Sequence, residues 1–220
     1  MTEPTEVPVQ TPAQPMRGAR LLEAVAVMDR LRSPGGCPWD AEQTHASLLP
    51  YLLEEAYEAA QAIEDGDAAE TQEELGDVLL QVLFHARLGE EADPAWDIDS
   101  VAGGLVDKLV ERHPHVFGDA TVADAAEVDA RWEEIKAAQK GRTSVVDGVP
   151  LALPALALSA KLRRRAARCG VDDTAFDPGE GYGARLWSLA AAAAADGVDA
   201  EAELRATTRR YREWLREQGR

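Results

Sequence analysis

Cysteine and long apolar runs are nearly absent from this sequence, and both absences limit what the protein can be. Cys37 and Cys169 are its two cysteines, and they lie far apart, without the spacing of a zinc site. A disulfide framework and a structural zinc site are therefore not expected. No stretch of 18 consecutive apolar residues occurs, so no membrane-spanning segment is expected either.

Basic residues are also few relative to acidic ones. The chain has 23 Lys and Arg against 40 Asp and Glu, which gives a net charge of −17. Such a chain repels nucleic acids and acidic membrane surfaces, so neither is expected as a partner. The same charge repels a phosphate-bearing substrate. A nucleotide could bind only where metal ions and a few placed Lys or Arg side chains overcome that repulsion.

Alternation of Val, Ile or Thr with polar residues is missing too, whereas Ala, Leu, Glu and Arg are abundant, which predicts an all-α fold. The first predicted helix ends at the breaker Ser33-Pro34-Gly35-Gly36, and residues 37–40 are expected to form a short loop. Further helices are predicted at about 47–64, 68–90, 98–113, 123–140, 156–168 and 202–217, with an Ala-rich helix before the last.

Composition divides the chain into four predicted segments. Residues 1–18 are rich in Pro, Thr and Gln, and are expected to be a disordered tail rather than a signal peptide. A cytoplasmic location is expected for that reason. Residues 19–140 are predicted to form the main helical domain, 141–155 a loop-rich linker, and 156–220 a second helical region.

Two acidic motifs lie in mirror positions about Gly66. Glu55 and Glu58 share one face of a predicted helix, and Glu74 and Asp77 share one face of the next. Glu58 and Glu74 each lie eight residues from Gly66, and Glu55 and Asp77 each lie eleven residues from it. At about 1.5 Å per residue, Glu58 should meet Glu74 roughly 12 Å from the turn. Glu55 should meet Asp77 about one helical turn further on.

Four facing carboxylates repel one another unless cations neutralise them or water solvates them. Oxygen ligands favour Mg²⁺ or Mn²⁺ over zinc, and Mg²⁺ sites often combine carboxylates with substrate phosphates. The alternative is an ordinary solvated acidic face, since acidic side chains are common along this chain. The mirror register about a glycine turn favours the metal site.

The segment that contains both motifs, LEEAYEAAQAIEDGDAAETQEELGDVLLQVLF, resembles the signature of the MazG nucleotide pyrophosphohydrolases, which is EExxE followed by ExxD. Three further segments match the pattern of this family in order and spacing: GCPWDAEQTHASLLPYLLEEAYE, DKLVERHPHVFGD and RWEEIKAAQK. The resemblance covers roughly residues 19–140, which are thereby identified as a MazG catalytic domain. It implies a MazG-like helical bundle of the all-α NTP pyrophosphatase type, related to dimeric dUTPases.

The resemblance also implies an activity. The expected reaction is Mg²⁺-dependent cleavage of nucleoside triphosphates, NTP or dNTP, between the α and β phosphates, in an obligate homodimer. A role in nucleotide-pool housecleaning is expected on the same ground. The alternative is a non-catalytic helical module for nucleotide sensing or dimerisation. The preferred nucleobase cannot be predicted from these residues.

Position by position, the resemblance implies a catalytic group. Glu55, Glu58, Glu74 and Asp77 match the metal ligands of the family. Glu54, the first acid of EExxE, is one residue off the ligand face and is expected to orient a lysine or a water.

Basic and aromatic residues further along match the substrate contacts of the family. Lys108 and Arg112, four residues apart, match positions that bind the triphosphate. They supply the local positive charge that a nucleotide requires here. Trp132 and Lys136, again four residues apart, match positions that contact the nucleotide.

Other residues receive weaker interpretations. Trp39 and Asp40 could shape the base pocket or the dimer interface, although a packing role is favoured for this Trp. His45 and His85 are interpreted as structural, and Gln81, one turn after Asp77, is a candidate to support the ligands.

Residues 156–220 are expected to be a degenerate second MazG-like unit. The sequence Glu180-Gly181-Tyr182-Gly183-Ala184 falls where a second Glu-Glu-Leu-Gly-Asp would stand, so Gly181 and Ala184 occupy the ligand positions. The expected EExxE helix before it is missing. This region also has a basic cluster, interpreted as the polar face of a helix with phosphate binding as the alternative: Lys161, Arg163, Arg164, Arg165 and Arg168.

Overall fold

The computed structural model describes residues 17–125, 127, 128, 131, 132, 135, 139 and 143–219. Across these residues the regular structure is helical and contains no strand, which confirms the all-α prediction. The helices are α1 Ala19–Arg32, α2 Pro38–Glu42, α3 His45–Asp65, α4 Ala68–Gly89, α5 Ile98–Arg112, α6 Pro114–Phe117, α7 Ala155–Arg168, α8 Tyr182–Ala195 and α9 Ala200–Glu217. The residues described between 125 and 139 are also helical. Most of the predicted tail, residues 1–16, lies outside the described residues.

The chain divides into two units, Met1–Ala120 and Thr121–Arg220. The first has 24 acidic and 7 basic side chains, whereas the second has 16 of each. The whole net charge of −17 therefore belongs to the first unit. The predicted linker at 141–155 and the predicted second MazG-like unit stay predictions. Within the described part of the chain, no helix is both long enough and apolar enough to cross a bilayer.

One sequence prediction was wrong. Residues 37–40 were expected to form a loop, but Pro38 opens the short helix α2. Proline suits the first position of a helix because its φ is already helical and its missing N–H would have had no helical acceptor. The helix ends after one turn, where the N–H of Gln43 donates to the carbonyl of Asp40.

Helices α3 and α4 form a hairpin whose turn has specific capping. Gly66 ends α3 with φ 74° and ψ 18°, a left-handed conformation that glycine adopts without steric cost. Asp67 then caps α4, because its side chain accepts hydrogen bonds from the backbone N–H groups of Ala69 and Glu70 at 2.9 and 3.1 Å. The turn therefore stays two residues long, and the helices run back along each other.

The core of the first unit lies at the far end of this hairpin. Leu48 of α3 and Phe84 of α4 are both buried, and each lies 18 residues from Gly66, so the mirror register extends along the hairpin. Met28 of α1, Leu83 and Leu88 complete the cluster. Burying such side chains is worth about 1.5–3 kcal/mol each. This cluster fixes α4 against α3 and α1, and thereby fixes the faces that the hairpin presents nearer the turn.

Candidate metal centre

Three carboxylates meet between α3 and α4. Glu55, Glu58 and Glu74 each offer an oxygen atom, and these oxygens all lie within 4.8 Å of one another. Glu55 and Glu74 are partly buried, while Glu58 is exposed. The structure therefore brings together three of the four predicted ligands as a group open to solvent on one side.

Asp77 lies just outside this group but acts on it electrostatically. Burial raises the pKa of Glu55, and the charges of Asp77 and Glu58 raise it further, as does a hydrogen bond between the Glu55 and Glu58 carboxyl groups. Two carboxyl groups can share a hydrogen bond only when one of them holds a proton. Glu55 therefore loses its proton less readily than an isolated glutamate does.

Glu74, on α4, is subject to the same repulsion. Burial raises its pKa, and the charges of Glu58 and Asp77 are the next causes. A cation would relieve this repulsion, and the donors are all carboxylate oxygens, which suits Mg²⁺ or Mn²⁺. The residues present therefore fit a divalent cation.

The other predicted site residues of the first unit occupy different environments. Glu54 is exposed on α3 beside the ligand face. Lys108 is exposed on α5, whereas Arg112, one turn later, has only 8% of its surface exposed and has interaction partners within the protein. Of the two basic residues, Lys108 is therefore the one whose side chain is exposed to solvent.

The predicted nucleotide contacts lie in the second unit. Trp132 has 37% of its surface exposed and has interaction partners. Lys136 lies outside the described residues. Their roles stay predictions.

An aromatic cluster joins α2 to the hairpin, and the sequence analysis did not predict Tyr51 as part of it. Trp39 of α2 meets Tyr51 of α3 edge to face at 6.2 Å between ring centroids, and it meets Phe84 of α4 in the same way at 6.3 Å. Trp39 and Tyr51 remain about half exposed, while Phe84 is buried. Tyr51 lies one helical turn before Glu55. That spacing places it on the same face of α3 and could have predicted that it lies beside the ligands.

Gln81, the candidate to support the ligands, is buried. It lies one turn after Asp77 on α4, with 5% of its surface exposed. Its Oε1 atom is buried and has no hydrogen-bond partner among the described residues. An unpaired buried carbonyl oxygen costs about 1–3 kcal/mol, so this position carries a penalty within the folded chain.

His45 and His85, both interpreted as structural from the sequence, contact each other. Their rings are parallel within 2°, and Trp96 stacks on His45 with a centroid distance of 5.8 Å. Burial lowers the pKa of His85, and the neighbouring His45 lowers it further. This contact joins the start of α3 to α4, two turns beyond Asp77.

Comparison with known proteins identifies related sequences. The family model of the MazG nucleotide pyrophosphohydrolase domain matches residues 43–117, which include the carboxylate group, Lys108 and Arg112. A Streptomyces cacaoi protein, described as an uncharacterized 26.1 kDa protein in the blaB 3′ region, is 54% identical over 201 residues. These residues are 90% of this chain and 82% of that protein.

Two relatives have names that state an activity. The nucleoside triphosphate pyrophosphohydrolase/pyrophosphatase MazG of Thermotoga maritima is 38% identical over 221 residues, covering 89% of this chain and 85% of that protein. The nucleoside triphosphate pyrophosphohydrolase of Mycolicibacterium smegmatis is 44% identical over 208 residues, covering 93% of this chain. The match spans only 60% of the length of the Mycolicibacterium enzyme.

Proposed function

Because this chain belongs to the MazG nucleotide pyrophosphohydrolase family, we propose that it hydrolyses nucleoside triphosphates, NTP or dNTP, to nucleoside monophosphate and pyrophosphate. The family model and the named relatives confirm two predictions from the sequence, namely the MazG family and the hydrolase class. The observation that carries the proposal is the carboxylate group of Glu55, Glu58 and Glu74, which lies inside the matched domain.

Mg²⁺, or Mn²⁺ in its place, is the proposed cofactor. Glu55, Glu58, Glu74 and Asp77 would hold it, since the acidic group is strained by its own repulsion when no cation is bound. When bound, the ion supplies charge neutralisation and polarisation of phosphate oxygens.

Protein side chains would accept the proton and bind the substrate. One carboxylate, of the group itself or Glu54, accepts the proton of the attacking water. Lys108 and Arg112 bind the pyrophosphate as its negative charge develops, and Trp132 and Lys136 contact the nucleotide. Because Arg112 is buried in the single chain, Lys108 makes the first contact with the triphosphate in this proposal.

A homodimer is proposed as the working state. The helices of the first unit expose many large apolar side chains, which a solitary soluble chain would ordinarily cover. These include Leu53, Tyr57, Ile63, Leu75 and Leu79 of the hairpin, and Leu105, Val106, Leu109 and Val110 of α5. A partner subunit that covers them would also narrow the open side of the carboxylate group.

A cytoplasmic location and a role in nucleotide-pool housecleaning complete the proposal. The large negative charge of the first unit supports the further expectation that neither nucleic acids nor acidic membranes are partners. The proposed partners are therefore the nucleoside triphosphate and a second copy of the chain.

The test is product analysis with each NTP and dNTP, with and without Mg²⁺. Monophosphate and pyrophosphate should appear in equal amounts, and only with the metal. Glu58→Ala and Asp77→Ala should lower turnover at least 100-fold, while circular dichroism shows an intact helical fold. Glu23→Ala on α1 removes an exposed carboxylate that belongs to neither acidic motif, and it should leave turnover unchanged. Undiminished turnover in both hairpin variants would overturn the assignment of the site.

A further inference from the structure

The second unit contains a cavity that the proposed hydrolase site does not use. Its volume is about 520 Å³, within the range of small-molecule sites. It lies between α7, the end of α8 and the start of α9. Much of its wall is apolar and comes from small side chains, chiefly Ala160, Ala167, Ala194 and Val198.

Two adjacent arginines of α7 line the cavity. Arg163 is held in place, because its guanidinium lies 4.2 Å from the centroid of the Trp187 ring and Nη1 lies 3.1 Å from Asp173. Arg164 is exposed, and the structure gives it no ion-pair partner among the described residues. One arginine is thus a fixed part of the wall, and the other has its charge available.

The charged side chains of α7 are all positive. The helix has five basic side chains and no acidic one. Asp173 and Asp199 also line the cavity, but Asp173 pairs with Arg163, and Asp199 accepts hydrogen bonds from the backbone N–H groups of Glu201 and Ala202. Asp199 keeps its negative charge, but one of its oxygens is engaged by these donors. Arg164 is therefore the cationic side chain of the lining that has no ion-pair partner among the described residues.

The geometry points to a second ligand site in this cavity, which takes a phosphate monoester with an organic part of about nucleoside size. Arg164 binds the phosphate, since a guanidinium matches phosphate oxygens with two parallel donors. The alanine and valine wall accommodates the organic part. The residues that line the cavity all belong to the second unit, and the lining includes no residue of the carboxylate group.

The test is calorimetric titration of the full chain in EDTA, which removes the divalent metal that the hydrolase site requires. The probes are AMP, inorganic phosphate and adenosine. AMP should bind at one site per chain, and phosphate alone or adenosine alone should bind at least tenfold more weakly. The absence of AMP binding would overturn the proposal. Failure of NTP hydrolysis would not affect this result, because no turnover is measured.

Three variants separate this site from general attraction to positive charge. Arg164→Ala should weaken AMP binding at least tenfold, whereas Arg185→Ala, which removes an arginine that stacks on Tyr182 outside the cavity, should leave it unchanged. Ala194→Leu should also weaken binding, because it fills the apolar wall and keeps every charge. Equal affinities for Arg164→Ala and Arg185→Ala, or unchanged binding by Ala194→Leu, would show that AMP does not occupy this cavity.

Discussion

The Nδ1 atoms of His45 and His85 lie 2.7 Å apart, so the Nδ1–H of one imidazole must donate a hydrogen bond to the unprotonated Nδ1 of the other. The contact cannot persist when both rings are protonated, because neither nitrogen then accepts. The pKa of His85 is lowered by burial and by His45, so the folded chain favours a neutral ring. The unfolded chain therefore binds more protons as the pH falls through and below the usual histidine range.

The first prediction follows from that sign. As the pH falls from 7.5 to 5.5, the wild-type chain should lose stability relative to the His85→Phe variant, which lacks the ring that must take up a proton. Phenylalanine keeps a flat ring and removes the buried Nε2 atom that has no partner among the described residues. Thermal denaturation at each pH, in EDTA, gives both curves. Parallel curves would contradict the role of this pair.

The second prediction concerns the carboxylate group, whose contribution to stability changes with pH in the opposite direction. Glu55 and Glu74 have raised pKa values, so the folded chain holds protons there that the unfolded chain has released. Stability from this source is present at low pH and is lost as the pH rises above the ordinary glutamate range. In EDTA at pH 7.5, Glu74→Gln should therefore melt at a higher temperature than the wild type.

Addition of Mg²⁺ tests the same group from the other direction. It should raise the melting temperature of the wild type and have little effect on Glu74→Gln, which has lost a ligand. Glu23→Gln, on α1, should respond like the wild type. A Glu74→Gln variant that is both less stable in EDTA and equally stabilised by Mg²⁺ would contradict the predicted site.

The third prediction is that the buried amide of Gln81 does not stabilise the fold. Gln81→Met keeps a similar shape and removes the unpaired buried oxygen, so the free energy of unfolding should be unchanged or higher by up to about 2 kcal/mol. Gln81→Ala should lower it by about 1–3 kcal/mol, because the shortened side chain leaves a cavity. Urea denaturation measures both. A large loss in Gln81→Met would mean that the amide has a partner it needs.

Gly89 supports a packing prediction with an internal control. A Cβ atom at Gly89 would lie 2.5 Å from the ring of Trp96, which rests against this end of α4. Gly89→Ala should therefore lower the free energy of unfolding by about 1–3 kcal/mol. Gly103 lies inside α5 with nothing within 4 Å of its Cβ direction, so Gly103→Ala should raise stability by up to about 1 kcal/mol. A neutral Gly89→Ala would contradict the close packing of Trp96.

The hairpin was predictable because its information is local. Helical spacing placed Glu55 with Glu58, and a glycine at the midpoint placed them opposite Glu74. The structure differs in that Asp77 stands just outside the closest group. Side-chain rotamers and helix rotation decide such offsets, and spacing alone cannot give them.

The contacts that were not predicted from the sequence join residues far apart along the chain. Trp39, Tyr51 and Phe84 come from three helices, and no periodicity within one helix predicts that their rings meet. The contact between His45 and His85 likewise depends on the register of α3 against α4. The cavity in the second unit depends on where three helices end, which composition does not reveal.

The two-residue turn at Gly66 and Asp67 has a consequence for how such a sequence can change over time. One extra residue in α4 before Glu74 would turn every later side chain of that helix by about 100° relative to the turn. Glu74 and Asp77 would then leave the face opposite Glu55, even though no functional residue had been replaced. Insertions and deletions between the two acidic motifs should therefore be far rarer in working descendants of this chain than substitutions there.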